Sequence, residues 1–345
     1  LLGEDTIVRN GMKTGDNNRF LRFWWEVANY KLNTKIKNYK ETLDNKYKWF
    51  PYNKGGEFRK WYGNEEYVVN WENQGEEIFN NAKKDKRNVQ DYPNELKFIP
   101  AASWSLITSS RPAFRLKENN LSDIAGMCFY KKDYNELLYY LGFCNSKIAL
   151  EVLKMLAPTI NFQSGDIARL PILIKNSNRV VTLVESNISL SKDDWNDFET
   201  SWDFEKIYLV KNHNLLEEAF KEWKKQLEVR FNSVKTNEQE LNDIFVDNYG
   251  LKDSIDYKVI DKDITIRLAD KERDIKSLIS YAVGCMFGRY SLDKDGLIYA
   301  GGDFDNVYKK YKKADGGWSG SSLSNYKYLN DNGNEIELSF EVDND

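Results

Sequence analysis

The pattern of hydrophobic and polar residues predicts strands and a helix in the first half of the chain. Residues 98–130 alternate in the manner of strands, with a polar turn at Arg111. Over residues 137–156 the apolar positions fall on one helical face instead, and Asp133 precedes them with capping-box spacing to Glu136. We therefore predict several short strands followed by a capped helix.

The second half of the chain has a longer helical pattern. Apolar residues recur at intervals of three, four and seven over residues 216–245, which predicts one or two amphipathic helices that end near Gly250. Residues 270–293 contain a further helical stretch. The expected fold is therefore α+β, with a mixed α/β domain followed by long helices and a mostly helical C-terminal region. The expected divisions are residues 1–175 for the first domain, 176–250 for a linker and helical spacer, and 251–345 for a truncated C-terminal domain.

Composition limits the class of protein. Hydrophobic residues make up 41% of the 345 residues and aromatic residues 14%, which is typical of a folded protein. The chain has no apolar run of about 18 residues that could span a membrane, and no signal peptide, so we expect a cytoplasmic protein. Cys128, Cys144 and Cys285 lie in apolar sequence and are expected to be buried free thiols.

The scarcity of histidine excludes several kinds of active site. His213 is the only histidine and lies in a polar stretch, so neither a Ser-His-Asp triad nor a Cys-His pair is expected. The cysteines and this histidine do not have the spacing of zinc ligands. We expect no metal site and no catalytic residue in this chain.

Charge is distributed unevenly along the chain. The net charge is −4, but residues 1–60 contain thirteen Lys and Arg against seven Asp and Glu. Residues 331–345 contain six acidic residues and no basic ones. Because a partner responds to the local field more than to the net charge, the basic first part of the chain is the better candidate for contact with a polyanion.

A segment rich in aromatic and basic residues lies within this basic part. Residues 48–64, here named the aromatic-basic segment, have the sequence KWFPYNKGGEFRKWYGN. Lysine and arginine neutralise phosphates, and planar rings stack on bases, so this composition is typical of a nucleic-acid surface. The alternative is structural, since aromatic residues near a turn are often core residues and lysines are usually solvated.

Five blocks of sequence resemble one protein family. They are GMKTGDNNRFLRFWWEV at 11–27, the aromatic-basic segment, NFQSGDIARLPI at 161–172, DWNDFETSWDF at 194–204, and ISYAVGCMFGRYSLDKDGLIYAGG at 279–302. In this order they resemble the C-terminal half of the PglX-type adenine-specific DNA methyltransferases of BREX phage-defence systems. The resemblance implies a target recognition region that binds double-stranded DNA, followed by a helical region. It also implies contact with an N-terminal methyltransferase domain of the same polypeptide and with other BREX proteins.

One feature of such enzymes is absent from the chain. Adenine-N6 methylation uses an Asn-Pro-Pro-Tyr type loop that holds the flipped adenine, whereas no two of the six prolines here are adjacent. Catalysis and the S-adenosylmethionine cofactor are therefore expected to belong to the full-length parent, of which this chain would be a piece that is inactive alone.

The expected function is sequence recognition on duplex DNA, and it nominates three groups of residues. The phosphate-contact candidates are Lys13, Arg19, Lys48, Lys54, Arg59 and Lys60. The candidates for stacking or close backbone approach are Trp49, Tyr52, Gly55, Gly56, Trp61 and Tyr62. The base-readout candidates, each of which has ion pairing or turn capping as an alternative role, are Arg111, Arg115, Gln163 and Arg169.

Other functions remain compatible with the same sequence. One alternative is a protein-interaction module of a defence complex, which would use the exposed part of the helical stripe in residues 216–245. A second is a non-catalytic DNA specificity subunit like those of multi-subunit restriction systems. A carbohydrate-binding protein is a third alternative, because aromatic platforms also stack on sugars.

Overall fold

The structure is a computed structural model. It describes residues 1–43, 46–85, 89–108, 111–157, 161–210 and 215–298, together with the strand segments 311–313, 326–329 and 335–338. His213 lies outside the described residues. The strands are β1 Ile7–Arg9, β2 Leu21–Phe23, β3 Trp49–Asn53, β4 Tyr67–Asn70, β5 Ala101–Ser105, β6 Phe114–Lys117, β7 Leu121–Ser122, β8 Gly126–Tyr130, β9 Tyr311–Lys313, β10 Tyr326–Leu329 and β11 Glu335–Leu338. The helices are α1 Leu2–Asp5, α2 Asn17–Phe20, α3 Glu76–Asp85, α4 Tyr134–Cys144, α5 Lys147–Leu156, α6 Ser164–Ala168, α7 Ser177–Asn196, α8 Leu216–Tyr249 and α9 Lys271–Met286. This combination of helices and strands confirms the α+β prediction.

A four-stranded antiparallel sheet forms the centre of the first half. Its strand order is β1-β8-β5-β6, and we name it the first sheet. Alternate residues of β8 face two different cores: Met127 and Phe129 pack with the helices, whereas Cys128 and Tyr130 pack with a second sheet. Because both faces are covered, β8 is apolar along its whole length and does not alternate between apolar and polar residues.

The second sheet also has four strands, in the order β2-β4-β3-β7. The β3–β7 pair is parallel, with Tyr52 opposite Leu121, and the other pairs are antiparallel. Its core contains Phe50, Val69 and Trp71, all of them buried. The aromatic-basic segment thus begins as a central strand of this sheet.

Helix α4 begins where its sequence predicts. The Asp133 carboxylate accepts a hydrogen bond from the Glu136 backbone N–H at 3.0 Å, which satisfies one of the free donors of the first turn. The helix passes through Gly142 and ends at Cys144, with Asn145 as its C-cap. A Cβ at Gly142 would lie 2.7 Å from a methyl group of Val184, so the glycine allows α4 and α7 to pack closely.

We expect Asp133→Ala to lower the free energy of unfolding by about 1 kcal/mol, because the first turn of α4 loses its capping acceptor. Urea unfolding followed by circular dichroism measures this change. Asp133→Asn is the matched control, since asparagine retains a side-chain oxygen that caps equally well. Equal losses for both variants would show that the hydrogen bond is not the stabilising contact.

Helices α7 and α8 share a core with the first sheet. Helix α8 is one continuous helix of 34 residues that ends at Gly250, where a φ of +67° is accessible to glycine. Leu241 and Phe245 of α8 and Val184 of α7 belong to the same buried cluster as Phe129 of the sheet. The expected division at residue 175 does not separate two hydrophobic cores, and as a division of function it stays a prediction.

The C-terminal part contains strands as well as a helix. Helix α9 packs Tyr281 against Phe204 and Tyr290. Strands β9, β10 and β11 form an antiparallel sheet in the order β11-β10-β9. The sequence pattern did not predict this sheet, since three- and four-residue strands are too short to establish a period of two. None of the described helices is long and apolar enough to cross a membrane.

Candidate nucleic-acid interface

The aromatic-basic segment is mostly buried, which corrects its interpretation as a continuous surface. Lys48 is half-exposed and pairs with Glu72 at 3.3 Å. After β3 the chain makes a loop, and residues 59–61 are buried beneath helices α7 and α8. Three of its six aromatic residues, Phe50, Tyr52 and Trp61, are thus core residues, as in the structural alternative.

Arg59 and Lys60 are not available to a phosphate in this structure. The Arg59 guanidinium donates to the Asp194 carboxylate of α7 at 2.6 Å, and the Lys60 ammonium donates to the Glu238 carboxylate of α8 at 2.6 Å. The other oxygen of Glu238 accepts the indole N–H of Trp61 at 2.8 Å. All five side chains are buried, so these contacts attach the helices to the sheets, and we exclude Arg59, Lys60 and Trp61 from a DNA-binding surface.

The other phosphate candidates differ in exposure and pairing. Lys13 is exposed, and its backbone pairs with Gln90. Arg19 is exposed but forms an ion pair with Glu77 at 2.8 Å. Lys54 is half-buried and lies 3.3 Å from Asp123. Lys13 therefore needs no rearrangement to meet a phosphate, whereas Arg19 and Lys54 would exchange one anion for another.

The stacking candidates also divide between core and surface. Tyr52 is 1% exposed and donates its hydroxyl to Asp123 at 2.8 Å, so it is a core residue rather than a stacking platform. Trp49 is half-buried beneath the guanidinium of Arg22 at 5.9 Å. Tyr62 is half-buried beneath the ammonium of Lys192 at 5.6 Å. Trp49 and Tyr62 remain candidates for contact with a ligand.

The paired glycines serve the conformation of the loop. Gly55 has a φ of +86° and Gly56 a φ of +131°, both strained for other residues. A Cβ at Gly55 would lie 2.8 Å from the carbonyl oxygen of Ala125, and one at Gly56 would lie 2.6 Å from the amide of Asn64. The close contacts that these glycines permit are with other parts of the protein, whereas the sequence led us to expect close approach of the backbone to DNA.

Two base-readout candidates have local structural roles. Gln163 is exposed and stands at the N-cap of α6, where its backbone N–H donates to Asp166 at 3.0 Å. Arg169 is exposed and forms an ion pair with Asp166 at 2.7 Å. These are the capping and pairing roles of the alternative interpretation. Both side chains nevertheless stay accessible, and their part in base readout stays a prediction.

A groove brings the remaining candidates together. It has a volume of about 530 Å³ and lies between the loop after β3 and the ends of β5 and β6. It is lined by Gly56, Glu57, Phe58, Ser105, Ile107, Thr108, Arg111, Ala113 and Arg115. Gly56, Arg111 and Arg115 are distant in sequence but meet here. We name this feature the Arg115 groove.

The two arginines of the Arg115 groove differ in accessibility. The Arg111 guanidinium lies over the Phe58 ring at 4.8 Å and pairs with Asp263 at 2.6 Å. Arg115 lies on β6 and is fully buried, and its Nη2 donates to Ser105 Oγ at 3.2 Å. Direct readout of a base edge by Arg115 is therefore excluded in this conformation, because a base cannot reach its guanidinium.

Asp263 is the anion that holds Arg111 in place. It is 1% exposed and also accepts from the Lys147 ammonium at 2.7 Å and the Ile260 N–H at 3.1 Å. Burial acts to raise the pKa of Asp263, but the contacts from Lys147, Ile260 and Arg111 outweigh it and lower the pKa to about 2. Asp263 is thus ionised in the folded protein at all but the lowest pH.

We expect acid to remove the stabilisation that Asp263 provides. Because its folded pKa is below its unfolded one, the unfolded state takes up the proton first as the pH falls. The contribution, about 2 kcal/mol, should be complete above pH ~4 and should disappear as the pH falls through about 2. Urea unfolding of the wild type and of Asp263→Asn across this range measures it, and a constant difference between them would contradict the assignment.

An exposed run of lysines is a stronger candidate for phosphate contact than most residues nominated from the sequence. We define the lysine segment as residues 31–48. Its six lysines are Lys31, Lys35, Lys37, Lys40, Lys46 and Lys48. The basic excess of residues 1–60 points to this run, but Lys48 alone of its six lysines is among the residues nominated from the sequence. A count of charges in a short window would have identified this run.

The lysine segment is anchored by apolar residues, and its ammonium groups project outward. Ile36 is 1% exposed, and Leu32 pairs with Trp49 at the start of β3. The side chains of Lys31, Lys35, Lys37 and Lys40 are exposed and form no ion pair with any described residue. The carboxylate of Glu41 accepts instead from the Lys37 backbone N–H at 3.0 Å and from the Asn38 side-chain amide at 2.7 Å. Among the described residues, these four ammonium groups therefore have no carboxylate partner.

The lysine segment and the Arg115 groove lie at opposite ends of β3. The Lys48 N–H donates to the Lys31 carbonyl at 2.9 Å just before the strand, and the glycines of the groove follow its last residue. A five-residue strand spans about 17 Å. The lysine segment thus precedes β3, and the Arg115 groove lies where the loop after β3 meets β5 and β6 of the first sheet. Among the described residues, no group of three or more His, Cys, Asp or Glu side chains could hold a metal ion.

The comparisons with known proteins identify relatives of this chain. No family model matches it. The chain is 43% identical over 314 residues to the adenine-specific methyltransferase PglX of Lacticaseibacillus casei (strain Zhang), a match that covers 88% of this chain and 26% of that protein. It is 31% identical over 314 residues to the adenine-specific methyltransferase BrxX of Escherichia coli O9:H4 (strain HS), covering 86% of this chain and 25% of that protein.

These matches cover most of this chain but only about a quarter of the length of either relative. A match of this extent is consistent with the C-terminal half that the resemblance in the sequence implies. The chain therefore belongs, as a partial segment, to the family of the PglX and BrxX adenine-specific methyltransferases.

Proposed function

We propose that this chain is the DNA-recognition part of a site-specific adenine-N6 methyltransferase of a BREX phage-defence system. In this proposal it binds duplex DNA and positions the target adenine for a catalytic domain elsewhere in the same polypeptide. The observation that carries the proposal is the match to PglX and BrxX over 88% and 86% of the chain. The relatives are named as methyltransferases of adenine, and an enzyme that methylates DNA at chosen sites must contact the duplex.

The charges of the described surface support this proposal. Binding to duplex DNA depends on cations that can replace the counterions of the phosphates, and a lysine already paired with a carboxylate is less suited to that exchange. The four unpaired lysines of the lysine segment meet this requirement, and Lys13 adds a further exposed cation. Gln163 and Arg169 are the accessible side chains that we propose for contact with bases.

The residues of this chain do not supply the methyl-transfer chemistry. The Pro-Pro loop that would hold the flipped adenine is absent, since the six prolines are all isolated. We propose that S-adenosylmethionine, the methyl donor of such enzymes, is bound by another part of the polypeptide. The contribution of this chain is then affinity, orientation and choice of site.

Fluorescence anisotropy with labelled duplex DNA over a series of salt concentrations tests the proposal. We expect binding whose logarithmic affinity falls linearly with the logarithm of salt concentration. A protein-interaction module would show no binding to DNA at low salt, and that result would refute the proposal. Methylation-sensitive sequencing of DNA from cells that carry the full-length polypeptide then separates a methyltransferase from a specificity subunit.

A further inference from the structure

Arg115 is exceptional among the buried cations of the described residues. Four others are buried, and each has a carboxylate partner within 2.8 Å: Arg59 with Asp194, Lys60 with Glu238, Lys97 with Asp91, and Lys117 with Glu65. Arg115 forms no ion pair with a described residue, and its Nε and Nη1 have no hydrogen-bond acceptor. The buried Glu65 carboxylate attracts the Arg115 guanidinium but is already paired with Lys117 at 2.8 Å. These three side chains therefore keep an excess of one positive charge, which an added anion would neutralise.

Other donors of the Arg115 groove are also unsatisfied. The Thr108 hydroxyl oxygen is buried and has no hydrogen-bond partner. The backbone N–H groups of Gly56, Glu57 and Phe58 donate no hydrogen bond to any described residue. Burial lowers the pKa of Arg115 to about 10, so its guanidinium remains charged at neutral pH. The groove thus combines unused donors with a positive charge beneath its floor.

We propose that the Arg115 groove binds a phosphate group of the DNA backbone, an inference that rests on the proposed function. The backbone N–H groups of residues 56–58 donate to the phosphate oxygens. Thr108 is only half-buried, so rotation about its Cα–Cβ bond brings its hydroxyl, which is buried in this conformation, to donate to the phosphate as well. Arg115 acts from beneath the floor as a positioning residue whose charge attracts the phosphate through a region of low dielectric constant.

A phosphate fits the groove better than a base edge does. Recognition of guanine by arginine requires direct paired hydrogen bonds, and the burial of Arg115 prevents them. Attraction of a negative charge requires no direct contact, since the Coulomb interaction acts over several ångströms. The site would therefore contribute affinity and alignment, without preference for a base.

A substitution at Glu57 tests the proposal through an expected gain in affinity, whereas the other substitutions should reduce affinity. Its side chain is exposed and lines the same groove, so its carboxylate opposes an incoming phosphate. Glu57→Gln should tighten binding roughly two- to fivefold, because it removes a like charge. Thr108→Val should weaken binding about tenfold, because it removes a hydrogen bond to a charged group without changing side-chain volume much.

The experiment measures the binding of two ligands to the same set of variants. Inorganic phosphate is titrated by its effect on the thermal unfolding midpoint, and labelled duplex DNA by fluorescence anisotropy. Arg115→Gln, which removes the buried charge, should weaken both ligands, and Arg115→Lys should retain part of the affinity. If Arg115→Gln does not fold, Thr108→Val and Glu57→Gln decide the question. The matched controls are the exposed substitutions Thr182→Val on α7 and Glu217→Gln on α8.

Each outcome has a distinct meaning. Opposite changes in DNA affinity for Thr108→Val and Glu57→Gln, with unchanged controls, support the proposal. DNA binding that none of these variants alters refutes the phosphate site and leaves the proposed function standing. Changes confined to inorganic phosphate refute the DNA backbone as its ligand. The absence of any binding to DNA by the wild type refutes the proposed function itself.

Discussion

Replacing Glu238 by alanine is expected to lower the free energy of unfolding by about 3–5 kcal/mol. The carboxylate accepts from the Lys60 ammonium at 2.6 Å and from the Trp61 indole N–H at 2.8 Å, and all three side chains are buried. Without Glu238, a positive charge and an indole N–H are left in the interior with no acceptor. Urea unfolding measures the loss.

A neighbouring glutamate on the same helix provides the control. Glu240 lies two residues further along α8 and pairs with Arg179 at 2.6 Å, but the Arg179 side chain is 54% exposed and the Glu240 side chain 37%. Glu240→Ala should leave the unfolding midpoint almost unchanged, since solvent screens an exposed pair. Equal effects of the two substitutions would show that burial does not govern the contribution of Glu238.

A double variant distinguishes the interaction between Lys60 and Glu238 from the separate contributions of the two side chains to stability. In Lys60→Met with Glu238→Met, both buried charges are removed, and much of the lost stability should return. If the double variant is as unstable as the sum of the single ones, Lys60 and Glu238 do not interact in the folded protein. That result would also make Lys60 a phosphate candidate again.

The simultaneous replacement of Lys31, Lys35, Lys37 and Lys40 by alanine is expected to reduce DNA binding more than any other surface change. Each lysine that contacts a phosphate should add about 0.9 to the slope of log affinity against log salt concentration. The fourfold variant should therefore lose up to about 3.6 of this slope, with most of its affinity at moderate salt. Anisotropy titrations of duplex DNA over a series of salt concentrations measure both quantities.

The control for this variant removes the same amount of charge from another part of the protein. Lys221, Lys224 and Lys225 of α8 and Lys252 after it are exposed lysines. Their replacement by alanine changes the net charge from −4 to −8, as in the lysine-segment variant. If both variants lose affinity equally, net charge and not a local surface determines binding, and the lysine segment is not the interface.

The elements that can be predicted from the sequence are those whose signals lie within the element or a few residues from it. The acceptor of the α4 N-cap lies three residues before its donor, and the apolar spacing of α8 continues to a glycine that ends the helix. Strands β9, β10 and β11 give no such signal, because a strand of three or four residues contains too few positions for a pattern.

Burial of the aromatic-basic segment could not be predicted locally. The carboxylates that neutralise Arg59 and Lys60 are 135 and 178 residues away in the sequence. A window around Arg59 and Lys60 shows cations and rings but not their anionic partners. The lysine segment is the opposite case, since its excess of positive charge can be read from the segment itself, which contains six lysines and two acidic residues.

The candidate groove was partly predictable. Gly56, Arg111 and Arg115 were each nominated from residue chemistry alone. Their proximity depends on long-range pairing, in which Trp61 forms a bridge with Arg115 and β5 pairs with β6. Arg115 cannot read a base edge because it is fully buried. The sequence alone does not show which of Arg111 and Arg115, four residues apart, is the buried one.

The attachment of α7 and α8 to the sheets has a consequence for the design of chimeric proteins. Arg59, Lys60 and Trp61 each bond to a carboxylate on these helices, and the hydrophobic core continues from the first sheet to Ile266. A chimera that transplants residues 1–175 alone would separate buried cations from their anions and divide one core between two parents. A graft that extends through Ile266 is larger, but it keeps each of these cations with its carboxylate and does not divide the shared core, so a chimeric protein could inherit it intact.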